Sequence, residues 1–392
     1  MVVKCGICDG SLSEIFKIPD SNRGNTICVC TQCSILQLVE SPDYDATKDP
    51  HSLRFSGERH IEAAQGAMWG NIRHGKGLRF DAHKDLLEKT LLQSKPKIVF
   101  DDGANRGHFG RYINKNFPHI EYRGCEPDPI CFESYVDNGT PEIIQSYTED
   151  YKEDIKFDFI YSVHTLEHVD SVKDHMEKIF NMMNDGATFF LDLPNSENIN
   201  FEDYIFEEYF VEKHKYNFML EDVLNILIHC GISIDIVSSD PFNLTIVGKK
   251  RSDAKFELTR IKGSDSKIVM QRNNILNYYK KMELTNQIFS SACQKINEFK
   301  KDKEIIIYGG GRLLLGFFDS GLENDNIIHI IDNYLFDKTK SCNGLPLKNE
   351  SVLDDSEKST PIIVFARSST ENIISNLNSK GFDNVQPFSN FI

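Results

Sequence analysis

Residues 98–110 read IVFDDGANRGHFG, and this stretch decides the fold of the central part of the chain. Its β-rich start ends at two adjacent aspartates, glycines stand at positions 103 and 107, and a helix-like segment begins at Phe109. A strand, a glycine turn and a helix form the repeating unit of open α/β sheets, which bind nucleotide-like ligands at the carboxyl ends of their strands. The stretch therefore predicts such a sheet, with a binding turn made by Asp101, Gly103, Asn105 and Gly107.

Strand-like and helix-like segments alternate on both sides of this turn. Short β-rich runs predict strands at 97–100, 120–125, 142–145, 157–162 and 187–193. An amphipathic helix is predicted between the last two runs, because apolar residues recur there at three- and four-residue spacing, and Gly186 is its predicted end. A second set of predicted strands, at 304–308, 327–331 and 361–365, follows a mostly helical stretch with predicted helices at 268–282 and 284–299. The pattern is typical of two α/β units with largely parallel sheets.

The glycine turn differs from the G-x-G-x-x-G fingerprint that binds the pyrophosphate of a dinucleotide. Asn105 replaces the middle glycine, and the carboxylate of Asp101 disfavours an anion but favours an amino-acid ammonium group. S-adenosylmethionine carries an ammonium group on an adenosine, so it fits this turn better than a dinucleotide does. After the next strand, the carboxylate of Glu126 is placed to accept hydrogen bonds from ribose hydroxyls, and Glu149 or Asp150 to meet an adenine.

Half of the ten cysteines fall within the first 33 residues. Two C-x-x-C pairs, Cys5 with Cys8 and Cys30 with Cys33, have the spacing that lets both thiolates of a pair bind one ion. Together they predict a structural Zn²⁺ site whose four sulfurs close the coordination sphere. Reduced structural cysteines or a redox pair are the alternatives, although a redox C-x-x-C opens a helix in a βαβ unit and none is predicted nearby. Cys28 is expected to be a packing residue.

The composition restricts the class of partner. The chain has 392 residues with 59 acidic and 44 basic side chains, which gives a net charge of −15. Such a charge repels phosphate backbones, so we expect a small-molecule substrate rather than a nucleic acid.

The first residues lack an apolar signal core, and no run of about 18 apolar residues occurs. We therefore expect no membrane segment, and a cytoplasmic location is predicted.

Three segments of the central region together resemble class I S-adenosylmethionine-dependent methyltransferases. They are FDDGANRG at 100–107, Glu126-Pro127, and YSVHTLEHV at 161–169, which an apolar helix and a strand ending in DLPN follow. The resemblance spans about residues 95–240. It implies one set of cofactor contacts: Asp101, Gly103 and Gly107 at the methionine part, Glu126 on the ribose, Glu149 or Asp150 near the adenine, and His164 facing the cleft shared with the substrate.

The order of the modules resembles the C-methyltransferases that act on nucleotide-linked 4-keto-deoxysugars. Those enzymes also begin with a four-cysteine zinc module and end in a Rossmann-like domain. The apolar segment at 33–38, the YGGGR turn at 308–312 and Asp332-Asn333 carry this resemblance. It implies that the chain methylates a carbon atom of a nucleotide-linked sugar.

Residues 212–218, EKHKYNF, resemble the segment that supplies the catalytic base in that family. The resemblance implies that His214 removes a proton beside a ketone, and that Tyr216, Tyr209 or His164 stabilises the enolate. The family has an acidic residue before this histidine, whereas Lys213 stands here. Because a nucleotide-sugar diphosphate is anionic, positive charge is predicted to meet it at Lys213, Lys215 and Arg312. Tyr209 and Asp332 complete the residues predicted to bind the substrate.

We therefore predict an α/β protein with a zinc-ribbon-like module at 1–45 and a Rossmann-like methyltransferase domain with leading helices at 46–250. A helical linker at 251–302 and a Rossmann-like domain at 303–392 complete the chain. O- or N-methylation of a related sugar or small molecule is the alternative to C-methylation. An NAD-dependent oxidoreductase built on the 308–312 turn is the alternative of another class, although Leu314 occupies the third glycine position. A third alternative is a non-enzymatic protein that docks through its zinc module.

Overall fold

The computed structural model describes residues 3–19, 21, 23–44, 72–73, 77–105, 107–129, 142–197, 199–200, 210, 214–240, 243–253, 255–333, 335–336, 341–366 and 370–392. The predicted substrate residues Tyr209 and Lys213 lie outside the described residues, and so does the side chain of Arg312. Contacts divide the chain into two units, Met1–Phe201 with Phe210–Leu276 and Glu202–Tyr209 with Asn277–Ile392. The first unit contains the predicted cofactor and zinc residues.

The first unit is built from the following elements. Its strands are β1 (Leu12–Lys17), β2 (Thr26–Cys30), β3 (Leu36–Val39), β4 (Ile72–Arg73), β5 (Gly77–Leu78), β6 (Ile98–Asp102), β7 (Glu121–Cys125), β8 (Ile143–Ile144), β9 (Phe157–Val163), β10 (Met183–Pro194), β11 (Tyr216–Asn217), β12 (Ile232–Ser239) and β13 (Asn243–Lys250). Its helices are α1 (Arg79–Ser94), α2 (His108–Asn116), α3 (Val172–Met182) and α4 (Leu220–His229), and the boundary between the units falls within α5 (Asp265–Phe299).

A small antiparallel sheet forms the N-terminal module. In the described part of the chain it has four strands in the order β1-β2-β3-β11. The last strand comes from far along the sequence: Tyr216 pairs with Gln37, and Asn217 pairs with Leu36. The backbone N–H of Leu38 also donates a 2.8 Å hydrogen bond to the carbonyl of Lys215. The segment that follows His214 is therefore fixed to the N-terminal module by backbone hydrogen bonds.

The central sheet has seven strands among the described residues, in the order β12-β13-β10-β9-β6-β7-β8. Strands β6 to β10 are parallel, whereas β13 runs antiparallel to both β10 and β12. Strand β6 pairs with β7 on one side and with β9 on the other, so the strand order reverses at its carboxyl end. Such a switch point is where open α/β sheets bind ligands. The predicted Rossmann-like α/β fold of this region is confirmed.

The core lies on both faces of the central sheet. Within β6, Val99 and Phe100 point to opposite faces and belong to different apolar clusters. The neighbouring strands repeat this arrangement with Phe159 and Ile160 in β9, and all four side chains are fully buried. Each such side chain contributes roughly 1.5–3 kcal/mol through burial. Strands buried on both faces require continuous apolar runs, which explains why these runs are visible in the sequence.

Strand β10 starts earlier than the run at 187–193 predicts. Met183 already pairs with Phe157, and the register then shifts so that Thr188 pairs with Phe159. Gly186 lies in the extra segment with a φ of +76°, a conformation that favours glycine. The helix before it ends at Met182, so Gly186 shapes a strand irregularity rather than the end of the helix, where it was predicted.

The second unit contains a six-stranded sheet among its described residues, in the order β16-β17-β15-β14-β18-β19. The strands are β14 (Ile305–Tyr308), β15 (Ile327–Ile331), β16 (Ser341–Cys342), β17 (Leu345–Lys348), β18 (Ile362–Val364) and β19 (Val385–Pro387), with helices α6 (Arg312–Asp319) and α7 (Thr370–Ser379). Only the β16–β17 pair is antiparallel in this described sheet. This mixed α/β sheet also fits the predicted fold class.

One continuous helix, α5, occupies the stretch where two helices at 268–282 and 284–299 are predicted. Only Glu283 separates the two predicted segments, and glutamate is a good helix former, so nothing in the sequence interrupts the helix there.

Among the described residues, no helix combines the length and the apolar character that crossing a membrane requires.

Candidate functional site

The turn after β6 is built so tightly that its first glycine cannot carry a side chain. Gly103 has a φ of +74°, and a Cβ atom there would lie 2.5 Å from the Oγ1 atom of Thr165. Thr165, which follows β9, donates a 2.8 Å hydrogen bond to the carbonyl of Asp102. Asn105 and Gly107 also have positive φ values, of 47° and 65°. The turn is therefore packed against the end of the neighbouring strand.

Glu126 bonds to this turn from the end of β7. Its Oε2 atom accepts a 2.6 Å hydrogen bond from the N–H of Asn105, and its Oε1 atom accepts one of 2.8 Å from Asp128. Only 4% of Glu126 is exposed, and burial raises the pKa of its carboxyl to about 7 although both hydrogen bonds lower it. The structure thus brings Glu126 and the glycine turn together, which the sequence predicted from their places at two strand ends.

Asp101, the predicted partner of an ammonium group, is buried beside the same turn. Its Oδ2 atom accepts a 2.6 Å hydrogen bond from the hydroxyl of Tyr122. Burial, opposed by the hydrogen bond from Tyr122 and helped by the nearby carboxylates of Asp102 and Glu126, raises the pKa of Asp101 to about 8. The contact of Asp101 with a ligand stays a prediction.

Asp102 belongs to a buried polar network that the sequence analysis did not identify. Its two oxygens accept hydrogen bonds from Thr148 Oγ1 (2.5 Å) and Ser162 Oγ (2.6 Å), and Oδ2 lies 3.1 Å from His175 Nε2. The other nitrogen of His175 lies 3.3 Å from Glu149 Oε1. Burial lowers the pKa of His175, but the two carboxylates outweigh burial and raise it to about 10. His175 is therefore an imidazolium between two carboxylates.

The two residues predicted to lie near an adenine differ in their surroundings, and their contact with an adenine stays a prediction. Glu149 is ion-paired with His175 and is partly exposed, whereas Asp150 is exposed at the end of the short turn Thr148–Asp150. The sequence does show a second carboxylate at the end of a buried strand and a histidine within an apolar helix face, but it does not show that the two are paired.

His164 stands at the carboxyl end of β9, next to the switch point. Its φ is +52°, in the left-handed region that non-glycine residues rarely adopt. Its Nε2 atom lies 2.9 Å from Asn243 Oδ1 and 3.3 Å from Asp192 Oδ1, and its Nδ1 atom lies 3.1 Å from Glu167 Oε1. The imidazole thus lies between two buried carboxylates. The backbone N–H of His164 also donates a hydrogen bond to the Asp192 carbonyl.

Two further histidines meet at the same edge. The ring centroids of His168 and His214 are 4.9 Å apart and the rings are edge-to-face at 68°. His168 Nε2 lies 3.8 Å from Glu167 Oε1, and one side-chain atom from each of Glu167, His168 and His214 lies within 4.8 Å of the other two. The predicted base His214 is therefore in a histidine and carboxylate cluster rather than alone on a surface.

Tyr216, the first predicted enolate donor, has a different environment. Its side chain is 1% exposed, and its hydroxyl donates a 2.8 Å hydrogen bond to the carbonyl of Asp170. A Cβ atom at Gly6 would lie 1.9 Å from this hydroxyl. The placement favours a structural role for Tyr216, because its only donor is already used to hold the N-terminal module to the segment after β9.

The predicted zinc residues form one buried cluster. Cys5 Sγ lies 3.6 Å from Cys33 Sγ, Cys8 Sγ lies 3.4 Å from Cys30 Sγ, and all four sulfurs lie within 4.8 Å of one another. All four are free thiols rather than disulfides. Cys28 is buried outside the cluster, and burial raises the pKa of its thiol to about 11, as a packing residue requires.

In the second unit, Gly309 has a φ of +109°, and a Cβ atom there would lie 2.3 Å from the carbonyl oxygen of Phe365. Asp332 accepts hydrogen bonds from the N–H groups of Gly310 (3.1 Å) and Leu335 (3.0 Å). Its carboxylate thus joins the glycine turn to the segment after β15. The contacts of Asp332 and Arg312 with a substrate stay predictions.

Comparison with known families identifies the central region. Residues 74–222 match the family model of a methyltransferase domain. This range contains the switch point, Glu126 and the histidine cluster. The chain therefore carries a methyltransferase domain, and the protein is an enzyme, an S-adenosylmethionine-dependent methyltransferase.

Solved structures that match the chain include three methyltransferases. The 1,6-didemethyltoxoflavin-N1-methyltransferase from Burkholderia thailandensis is 11% identical, with 60% of this chain and 100% of that chain covered and a TM-score of 0.41. An S-adenosylmethionine-dependent methyltransferase from Mesorhizobium loti is 14% identical, with 43% and 97% covered and a TM-score of 0.35. One from Clostridium acetobutylicum is 10% identical, with 50% and 99% covered and a TM-score of 0.39. No curated protein matches the chain.

Proposed function

We propose that this methyltransferase acts on a nucleotide-linked keto sugar and methylates a carbon atom next to the ketone, with His214 as the base. One observation carries the proposal: the Glu126-bonded turn and the His168–His214 pair lie at the carboxyl ends of the adjacent strands β6 and β9. This arrangement supports a cofactor site and a base at one sheet edge. The resemblance of the module order to nucleotide-sugar C-methyltransferases supports the choice of acceptor.

Two features of the turn fit S-adenosylmethionine. The Oδ1 atom of Asn105 is buried, and no hydrogen bond reaches it from the described residues. A buried acceptor in this state suits an ammonium donor. The Glu126 oxygens each accept one backbone N–H and retain a lone pair for a ribose hydroxyl. When bound, the cofactor supplies an electrophilic methyl group on a sulfonium.

The histidine pair fits the removal of a proton from carbon. A carbon next to a ketone is a weak acid, and an imidazole that titrates near neutral pH is a suitable base for it. The predicted enolate donors Tyr216 and His164 are engaged with Asp170 and with two carboxylates. We therefore assign the stabilisation of the enolate oxygen to His168, whose ring lies beside that of His214 and which faces the carboxylate of Glu167 at 3.8 Å, a longer distance than those between His164 and its two carboxylates.

The four-cysteine cluster fits a structural zinc ion. In a tetrahedron with Zn–S distances near 2.3 Å, neighbouring sulfurs are about 3.8 Å apart, close to the sulfur separations in this cluster. The backbone N–H groups of Gln32 and Cys33 point at Cys30 Sγ from 3.4 and 3.5 Å, as a thiolate acceptor would require. Cys5, Cys8, Cys30 and Cys33 would hold the ion, and four thiolates leave no position for a substrate.

Binding of S-adenosylmethionine tests the cofactor site directly. Glu126→Gln keeps the shape of the side chain but removes its charge, and we expect isothermal titration calorimetry to show an affinity at least about tenfold lower. Glu121→Gln is the matched control, because Glu121 is exposed at the other end of β7. Equal binding by wild type and Glu126→Gln would contradict the assignment. Binding of NAD without S-adenosylmethionine would support the oxidoreductase alternative.

Product analysis tests the acceptor. The wild-type protein is incubated with S-adenosylmethionine and a panel of nucleotide-linked sugars with and without a ketone, and products are characterised by mass spectrometry and NMR. A new methyl group on the carbon next to the ketone is the expected product. His214→Gln is expected to lose this activity and to keep its cofactor affinity. A methyl group on oxygen or nitrogen would show that the alternative is correct.

A further inference from the structure

Glu167 is a buried carboxylate surrounded by imidazoles in the turn Leu166–His168, and only 1% of it is exposed. Its Oε1 atom lies 3.1 Å from His164 Nδ1 and 3.8 Å from His168 Nε2. A nitrogen of His214 lies within 4.8 Å of both the carboxylate and His168. The carboxylate is therefore near the rings of all three histidines.

This carboxylate is ionised at neutral pH. Burial raises the pKa of Glu167, but His164, His168 and His214 outweigh burial and lower it to about 2. A full negative charge therefore stays next to the His168–His214 pair throughout the pH range in which histidines titrate. The residue that precedes His214 in the sequence is Lys213, so the chain neighbour of the base contributes no carboxylate.

The charged groups around Glu167 come from three elements. His164 ends β9, His168 belongs to the turn of Glu167, and His214 precedes β11. Asp192 of β10 lies on the far side of His164, with 3.3 Å between its Oδ1 atom and His164 Nε2. Glu167 therefore shares His164 with Asp192, and its charge also acts on His168 and His214.

We propose that Glu167 is the positioning residue of the His168–His214 pair: its charge stabilises the imidazolium that forms when His214 removes the proton of the acceptor. This inference rests on the proposed function, in which His214 is the base. In the step, the C–H bond breaks, a nitrogen of His214 takes the proton, and the electron pair of the bond enters the enolate. Glu167 stays ionised and forms no bond with the substrate.

The titration of His214 tests this role without any substrate. In Glu167→Gln, which keeps the shape and removes the charge, we expect the titration midpoint of His214 to fall by about one pH unit or more, because an opposite charge within about 4–6 Å favours the protonated imidazole. NMR of histidine-labelled protein measures the midpoint, and His214→Gln assigns its signal. Glu177→Gln, at an exposed position of α3, is the matched control and is expected to leave the midpoint unchanged.

The pH profile of methyl transfer gives a second readout. The acid limb of kcat/KM is expected to move to lower pH in Glu167→Gln by the same amount as the NMR midpoint, with an unchanged affinity for S-adenosylmethionine. Glu167→Asp restores the charge and is expected to restore most of the midpoint, which keeps the test valid if the glutamine variant folds poorly. A loss of activity without any change in midpoint or profile would show a merely structural role and overturn the proposal.

The two proposals fail in different ways. If no keto sugar is methylated but the His214 midpoint falls in Glu167→Gln, the proposed acceptor is wrong and the coupling of Glu167 to His214 is supported. If the wild-type protein holds a divalent ion beyond the one at the cysteines, and both Glu167→Gln and His168→Gln lose it, these residues are metal ligands and the positioning role is overturned. Metal analysis by mass spectrometry distinguishes this outcome.

Discussion

Gly103→Ala tests the geometry of the cofactor turn. The left-handed φ of +74° at this position costs an L-residue about 1–2 kcal/mol. The added Cβ atom would lie 2.5 Å from Thr165 Oγ1, so Thr165 must move and lose its hydrogen bond to the Asp102 carbonyl. That bond is worth about 1 kcal/mol. We therefore expect the free energy of unfolding of the first unit to fall by about 2–3 kcal/mol.

A second glycine variant separates the cost of the backbone conformation from the cost of the contact with Thr165. Gly186 has a φ of +76°, but a Cβ atom there meets nothing within 4 Å, so Gly186→Ala has the backbone cost alone, about 1–2 kcal/mol. In a Thr165→Ala background the contact is absent, and Gly103→Ala is expected to cost only as much as Gly186→Ala. The difference between the two backgrounds, about 1 kcal/mol, measures the contact.

Urea unfolding followed by circular dichroism gives the stabilities, and calorimetric titration gives the affinity for S-adenosylmethionine. We expect the Gly103→Ala variant to bind the cofactor more weakly than Gly186→Ala, because only the first substitution displaces the turn. Equal stabilities and affinities for the two variants would refute the argument, since the contact with Thr165 would then have no energetic effect.

The affinity for S-adenosylmethionine is expected to rise with pH through about 7, because burial raises the pKa of Glu126 to about 7 and only the ionised carboxylate accepts from both ribose hydroxyls. The stability of the cofactor-free protein is expected to change in the opposite direction. The raised pKa of Glu126 stabilises the fold at low pH, and this contribution is lost as the pH rises to about 7. Calorimetric and thermal titrations check both, and pH-independent affinity would contradict them. His175→Leu is expected to cost about 3–5 kcal/mol, because Asp102 becomes a buried, uncompensated charge. Thermal unfolding measures this loss, and a stability equal to the wild type would disprove the ion pair. Cys8→Ser is expected to abolish zinc binding and lower the melting temperature, and metal analysis with calorimetry checks it; a full zinc content would argue against the four-sulfur site.

Much of the central fold could be predicted because its strands are buried on both faces. The segments of β6, β9 and β10 contain short apolar runs, IVF at 98–100, FIY at 159–161 and FFL at 189–191, and such runs are typical of strands that are covered on both sides. The antiparallel strands β12 and β13 were not predicted. Most of β12 is partly or fully exposed, so its sequence ISIDIVSS has no continuous apolar run to identify it.

In the candidate site, too, some contacts could be predicted from the sequence and others could not. The contact of Glu126 with the glycine turn follows from topology, because neighbouring parallel strands end at the same edge. The pair of Asp102 and His175 joins residues 73 positions apart, and nothing local in the sequence specifies it. The proximity of His168 to His214 likewise depends on how β11 is held, which only the three-dimensional structure shows.

The N-terminal module therefore bears on the chemistry although its ion would be closed to substrate. Strand β3 pairs with β11 directly after His214, and Tyr216 of β11 packs its hydroxyl against Gly6, between Cys5 and Cys8. The same hydroxyl donates to the carbonyl of Asp170, two residues beyond His168. His168 and the proposed catalytic base His214 are thus both connected to the first C-x-x-C turn through one tyrosine. We therefore expect a change that loosens this turn to displace His168 and His214 together and to leave the Glu126 turn in place, so that it affects the proposed proton-removal step rather than cofactor binding.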